Sequence, residues 1–220
     1  MHMQIEEQLL QACRRLAGQQ FLNRPEDSCS MRIPGRPEMI FVTGLRNWRQ
    51  VSNSDLERLS FFVQASSAGL HAAVYGQRAD VGAVVISSPN WARLLHGRVG
   101  VLPPLFDEQV RHIGNAACWT GGTDGLLPAA IKKALRGGAN AVLVGERLMC
   151  LGTTRDRAVF NTELFEKCAQ AFILAQTTGK RINLIPGWVR FIANRRLLKD
   201  ERRAAESYRA GRIPEAMNAY

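Results

Sequence analysis

The groups of this chain that could bind a metal, attack a carbonyl or carry a proton are few, and their spacing limits them. There are four histidines (His2, His71, His96, His112) and five cysteines (Cys13, Cys29, Cys118, Cys150, Cys168). No two cysteines have the spacing of a metal knuckle, so buried free thiols in a reducing compartment are expected. Cys118 and Cys150 are nucleophiles by type alone. Neither has a histidine at a spacing that would make it the base, and a small buried hydrophobe is the competing use. His96 and His112 flank Pro103-Pro104, and only the tertiary structure could bring them together. The glycine-rich stretch Gly121-Gly122-Thr123-Asp124-Gly125 lacks the Gly-Lys-Ser/Thr ending of a phosphate loop, so it reads as a flexible lead into a helix. Thr43-Gly44 and Ser66-Ser67 could offer hydroxyls and backbone N–H groups to an anion. Their plainer uses are a strand-ending turn and a helix cap.

The elements that must position these groups follow from periodicity. Ile5, Leu9, Leu10, Cys13, Leu16 and Ala17 form one helical stripe over 4–17. Strands are expected at 28–33 and 39–43 around the turn Pro34-Gly35-Arg36-Pro37, and at 59–64, 82–87, 99–102, 141–144 and 148–151. Ser54 with Glu57 reads as a capping box. Helices are expected at 68–77, 90–96, 124–135 and 154–177, the last with Ala158, Phe165, Cys168, Phe172 and Leu174 inward, and 115–123 reads as loop. Strands and helices mix without regular alternation. The fold class expected is α/β, three-layer α/β/α with a mostly antiparallel central sheet.

The segment 71–95, HAAVYGQRADVGAVVISSPNWARLL, carries the strongest motif. It resembles the class II aldolase/adducin family, which reads approximately H-x-x-[IV]-Y-x-x-R-P-D-[VA]-x-A-V-V-H-x-H-[PS] there. The match holds through the second valine, except for Ala79 where proline is usual. Further pieces follow in the family's order: 11–18 is similar to its opening helix, and Ser30-Met31-Arg32 to G-N-[IV]-S-x-R. Phe41-Val42-Thr43-Gly44 is similar to [IL]-T-P-[ST]-G, and 137–152 with 154–175 to its closing hairpin and long helix. The resemblance implies a fuculose-phosphate aldolase-like fold, three histidines holding zinc, a glutamate acid/base and a hydroxyl-lined phosphate patch.

Carried over residue by residue, that machinery is incomplete. The metal positions fall on Ile86, Ser88 and Glu146, and the acid/base glutamate falls on Ser67. Isoleucine has no donor atom and a serine hydroxyl is a poor zinc ligand. Glu146 is left as the one candidate catalytic group, beside Arg147 where the family has glycine. The phosphate positions fall on Thr43, Gly44, Ser66 and Ser67. The loop asparagine falls on Ser28 and its preceding glycine on Asp27, whose added carboxylate should repel phosphate. His71 matches a packing histidine of the family rather than a ligand. The resemblance therefore implies a protein that has lost metal-dependent aldolase activity and acts as a binding or assembly module without cofactor. The alternative is a carbon–carbon lyase for a sugar phosphate or hydroxy-keto acid with a rebuilt site, zinc entering only there, from residues such as His71, Cys118 and Glu146. Family sites lie between subunits of a ring, so a homo-oligomer (commonly a tetramer) and a phosphorylated small molecule are the implied partners.

Bulk properties bound the rest. At 220 residues and 46% hydrophobic the chain can bury one sizeable core. No apolar run approaches the roughly 20 residues of a bilayer span. The start, MHMQIEEQLLQACRR, lacks a signal-peptide core, so the cytoplasm is expected. The net charge is +10. Residues 180–220 hold ten Lys/Arg against four Asp/Glu, and they read as a basic helical extension to a domain at 1–179. Phe191, Ile192, Leu197 and Leu198 are expected to pack one face of that helix on the body or a partner subunit. An attraction for acidic ligands or a membrane surface is a second reading. Nucleic acid is not the expected partner, because no binding motif accompanies the charge.

Overall fold

Side chains alternate between two apolar layers along nearly every strand. In the computed structural model, which describes residues 2–63, 66–95, 101–114, 117–120, 128–135 and 138–215, the elements run α1 (His2–Gly18), β1 (Ser28–Arg32), β2 (Glu38–Thr43), β3 (Glu57–Ser60), α2 (Ser66–Gln77), β4 (Ala83–Ser87), α3 (Asn90–Leu94) and β5 (Val101–Leu102). They continue with α4 (Asp107–His112), β6 (Ala117–Thr120), α5 (Pro128–Ala134), β7 (Ala141–Val144), β8 (Arg147–Gly152), α6 (Arg155–Thr177) and α7 (Gly187–Arg209). The eight strands form one sheet in the order β3-β2-β1-β4-β8-β7-β6-β5. Every pair is antiparallel except β6 with β7.

On one face, Cys29, Met31, Ile40, Val42, Ala83 and Val85 pack against α1 and the start of α6. Further along that face, Leu143, Leu148 and Cys150 meet Phe165, Cys168 and Phe172 of α6. On the other face, Phe41, Val84, Ile86, Val142, Met149 and Leu151 pack against α2 and α5. This is the expected three-layer arrangement, and the period-2 pattern is its cause: each strand serves both layers. Gly152 lets α6 close onto β8, since a Cβ there would lie 2.2 Å from the backbone N of Ala158.

Several local expectations are corrected. Residues 117–120 form β6 rather than loop, because β5 and β7 supply a ladder that the small, glycine-rich local composition hides. Helix α4 has no counterpart among the expected elements. The capping box is Ser52 with Asp55, ahead of a short 3-10 turn at Asn53–Asp55. β3 consequently begins at Glu57 and ends at Ser60, short of the expected 59–64. It is a mostly exposed polar edge strand whose Arg58 pairs with Glu38 of β2, so no hydrophobic pattern announces it. Leu174, expected inward, is 49% exposed. Residues 121–127, which contain the whole glycine-rich stretch, lie outside the described residues, as does His96.

Helix α7 meets the expectation only in part: Leu197 is buried as expected and Leu198 is half-buried. Its buried residues are Ala193, Leu197, Asp200, Glu201, Ala204 and Tyr208, while Phe191 and Ile192 are exposed. Charge pairing decides the orientation. Asp200 accepts from Arg111, and Glu201 pairs with Arg78 at 3.0 Å and accepts from Asn140 Nδ2 at 3.0 Å. Tyr208 donates to the carbonyl of Thr153 at 2.8 Å. A Cβ on Gly82 would lie 1.8 Å from the Tyr208 hydroxyl oxygen, so the bare glycine is what admits the helix end.

Candidate functional site

The antiparallel register carries most of the singled-out residues to one end of the sheet. Ser28 pairs with Thr43 and with Ile86, Ser87 pairs with Leu148, and Val144 pairs with Arg147 across the Gly145-Glu146 turn. Thr43-Gly44, Ile86, Ser88 and Glu146 therefore meet at the end of the sheet where β1 starts. Helix α2 runs alongside β1: Ser28, Ser30 and Arg32 bond in turn to His71, Tyr75 and Arg78. Its first residues, Ser66 and Ser67, consequently open at the same end. The Ser66 side chain lies outside the described residues, and Ser67 is half-buried.

The buried chemistry at this end is directed inward. Ser88 Oγ donates to Asp27 Oδ1 at 2.7 Å, and the backbone N–H groups of Asn23 and Arg24 donate to Asp27 Oδ2 at 2.8 and 2.9 Å. Burial raises the Asp27 pKa, and the backbone and Ser88 hydrogen bonds with the Arg147 charge pull against it. Thr43 Oγ1 donates to the carbonyl of Asp27 at 2.9 Å, and the Gly44 N–H donates to that of Pro25 at 3.0 Å, with Gly44 at φ +78°. The Thr43-Gly44 pair thus fastens the loop before β1, and the left-handed backbone explains the glycine. The repulsive carboxylate anticipated at Asp27 is fully buried and engaged with its own loop.

His71 is fully buried, with Ser28 Oγ 2.9 Å from Nε2 and Ser30 Oγ 2.7 Å from Nδ1. Ser30 Oγ also meets the Tyr75 hydroxyl at 2.8 Å. Burial and the positive charge of Arg147 lower its pKa to about 3, so the ring is neutral and structural. The alternation of Ser28 and Ser30, with His71 and Tyr75 one helical turn apart, is a sequence signal for this chain of hydroxyls. The Ser88–Asp27 bond and the roles of Arg24 and Arg93 carry no such signal.

Outward, the rim is basic. Glu146 Oε2 lies 3.8 Å from Arg24 Nη1 and 3.5 Å from Arg93 Nη2, with its side chain 55% exposed. Arg147 Nη1 donates to the carbonyl of Glu26 at 3.1 Å. Two guanidinium groups beside one solvent-open carboxylate, with the Arg147 guanidinium on the loop that precedes β1, can hold an oxyanion by charge and bidentate hydrogen bonds. The set does not fit zinc. Ile86 is locked in the core layer under α2, the Ser88 proton is committed to Asp27, and Glu146 faces arginines. Among the described residues no three His, Cys, Asp or Glu side chains are grouped to hold a metal ion. Both ring nitrogens of His71 are engaged by Ser28 and Ser30, and the Cys118 side chain lies outside the described residues. Cys150 is fully buried with its thiol pushed up to about 12 by burial, which leaves it inert as a nucleophile.

The profile of the class II aldolase and adducin N-terminal domain matches residues 7–173, most of the chain. The chain belongs to the class II aldolase and adducin family. Its fold is that of an L-fuculose 1-phosphate aldolase, to which it is 17% identical with a TM-score of 0.78 over 89% of this chain and 96% of that one. The L-fuculose-1-phosphate aldolase from Thermus thermophilus is 18% identical, with a TM-score of 0.68 over 81% and 98%. A sugar-phosphate aldolase from Thermotoga maritima is 16% identical, with a TM-score of 0.62 over 82% and 99%. At these identities the likeness establishes the fold alone. No curated protein sequence matches the chain. Among the described residues, no helix of this family member is long and apolar enough to cross a membrane.

Proposed function

We propose that this class II aldolase/adducin-fold protein has lost metal-dependent carbon–carbon bond cleavage and serves in the cytoplasm as a binding or assembly subunit of a homo-oligomer. Its ligand is a phosphorylated small molecule held at the arginine-rimmed end of the sheet, without a metal. The observation that carries this reading is the fate of two positions at the end of β4, one on the strand and one just past it. Ile86 is core, and Ser88 is a fastener for the Asp27 loop. Restoring a metal there would require new side chains and also a new partner for Asp27. Arg24, Arg93 and Arg147 supply the positive charge that an anionic ligand needs.

Metal analysis of the purified protein, followed by a cleavage assay on ketose phosphates with and without added zinc, tests this. Substoichiometric metal and no cleavage above background are expected. About one tightly held metal per chain together with cleavage would overturn the proposal. The competing reading, a lyase with a rebuilt site, rests on Glu146 as the solvent-open carboxylate at this end. It requires turnover that Glu146→Gln abolishes.

A further inference from the structure

The outward face of α7 carries the side chains expected of an inward one. Trp188, Phe191 and Ile192 are 68%, 61% and 45% exposed, and Leu184, just ahead of the helix, is 49% exposed. At about 100° per residue, these three helix residues share one side with Arg195, Lys199 and Arg202. That side lies opposite Ala193, Leu197, Ala204 and Tyr208, which dock on the body. The Arg195 guanidinium lies 5.5 Å from the centre of the Phe191 ring. Two of the four acids of residues 180–220, Asp200 and Glu201, are buried against Arg111 and Arg78. Docking the helix therefore hides half of the tail's negative charge and leaves its ten Lys/Arg opposed by Glu206 and Glu215. The result is an apolar front half and a basic rear half on one continuous face.

An exposed apolar patch of this kind needs an occupant, and charge complementarity selects among the candidates. A second copy would present the same basic face, and the rest of the chain is net positive too, with 19 Lys/Arg against 15 Asp/Glu. A single-stranded nucleic acid would use Trp188 and Phe191 for stacking and the arginines for phosphates. It would gain nothing from Ile192 and Leu184. An anionic lipid surface uses all of them, because negative headgroups lie directly above an apolar layer.

We propose that the outward face of α7 docks this protein on an anionic lipid surface. Leu184, Trp188, Phe191 and Ile192 enter the boundary between headgroups and acyl chains, while Arg195, Lys199 and Arg202 rest on the headgroups. Co-sedimentation with vesicles of phosphatidylcholine alone, and of equal parts phosphatidylcholine and phosphatidylglycerol, tests it on the full chain. Binding is expected only to the mixed vesicles, and it should fade as salt shortens the screening length from about 10 Å to about 3 Å. Trp188→Ser with Phe191→Ser, and separately Lys199→Glu with Arg202→Glu, should each weaken binding about tenfold or more. All four positions are exposed, and an unchanged thermal transition confirms that the fold survives.

Failure of the mixed vesicles to bind, or equal binding by the variants, overturns the proposal. So does a change of oligomeric state in the serine variant without lipid, which would assign the face to a second copy. Retention of single-stranded RNA in place of vesicles would overturn it as well.

Discussion

At the end of the sheet where β1 begins, the buried polar groups include one carboxylate, one imidazole and a set of hydroxyls. At the opposite end, around Gly82 and Thr153, they are guanidinium groups and the carboxylates of α7. The first set closes on itself through short, mostly neutral bonds: Asp27 to its loop and Ser88, and His71 to two serines. The second set joins distant segments through charge. Arg78 meets Asp80 at 2.7 Å and Glu201 at 3.0 Å, and Arg111 meets Asp200. Arg32 donates to three carbonyls while lying about 5 Å from the rings of Phe61 and Tyr75. The difference shows where this chain spends its buried charge. The end where β1 begins is structurally quiet, with arginines on its rim, while the far end uses ion pairs to fasten the tail.

That contrast can be broken by mutation, starting at the far end. Arg78→Ala leaves Asp80 and Glu201 buried without their cation and should cost about 3–5 kcal/mol in urea unfolding. A loss below about 1 kcal/mol, the worth of an ordinary surface pair, would mean the tail is not held by charge. Gly82→Ala drives a methyl group against the Tyr208 hydroxyl and the carbonyl of Thr153, 1.8 and 2.5 Å away. It should cost about 2 kcal/mol and expose α7 to limited proteolysis before the sheet. A tail that resists protease as in the parent chain would contradict this packing.

At the quiet end, Asp27→Asn keeps the shape and should cost only about 1 kcal/mol. Its effect should shrink as pH rises through the carboxylate range. The raised pKa of Asp27 means the native state holds that proton longer than the unfolded chain does, so wild-type stability falls there while the asparagine variant does not titrate.

The most diagnostic effect is the acid limb. His71 and His112 are both lowered to about 3 by burial, His112 also by Arg157, whose Nη1 lies 2.6 Å from its Nδ1. The unfolded chain protonates these rings near pH 6.5 and the native state does not. Stability is therefore complete above pH 6.5 and is lost as pH falls from there toward 3. The slope of unfolding free energy against pH in that window should decrease by one proton in His112→Asn. An unchanged slope would remove His112 from the account. Asp27, Glu166 and Glu201 act in the opposite sense, so the comparison between variants is cleaner than the absolute slope.

Most elements were legible along the chain, because helices and two-sided strands write their period into neighbouring residues. Helix α1, the hairpin of β7 and β8 and the start of α6 lie within two residues of where periodicity puts them. The polar edge strand β3 and the short β6 were not legible, since their pairing partners rather than their own residues make them strands. That Ile86 and Ser88 stand where the family resemblance expects metal ligands was readable from residue types. What those residues do instead was not, because Asp27, the partner of Ser88, lies 61 positions away in the chain.

Local pattern by itself therefore determined the family, the layers and the absence of imidazole at the ligand positions, since all three depend on residues near one another in the chain. Only the tertiary structure decided which face of α7 is buried. Its apolar residues lie on both sides, Leu197 on one and Phe191 and Ile192 on the other, and the arginines at positions 78 and 111 pair with the side that carries Asp200 and Glu201. A buried cation without a counter-charge costs more than an aromatic ring left in water, so Asp200 and Glu201 face inward and Trp188 and Phe191 face out.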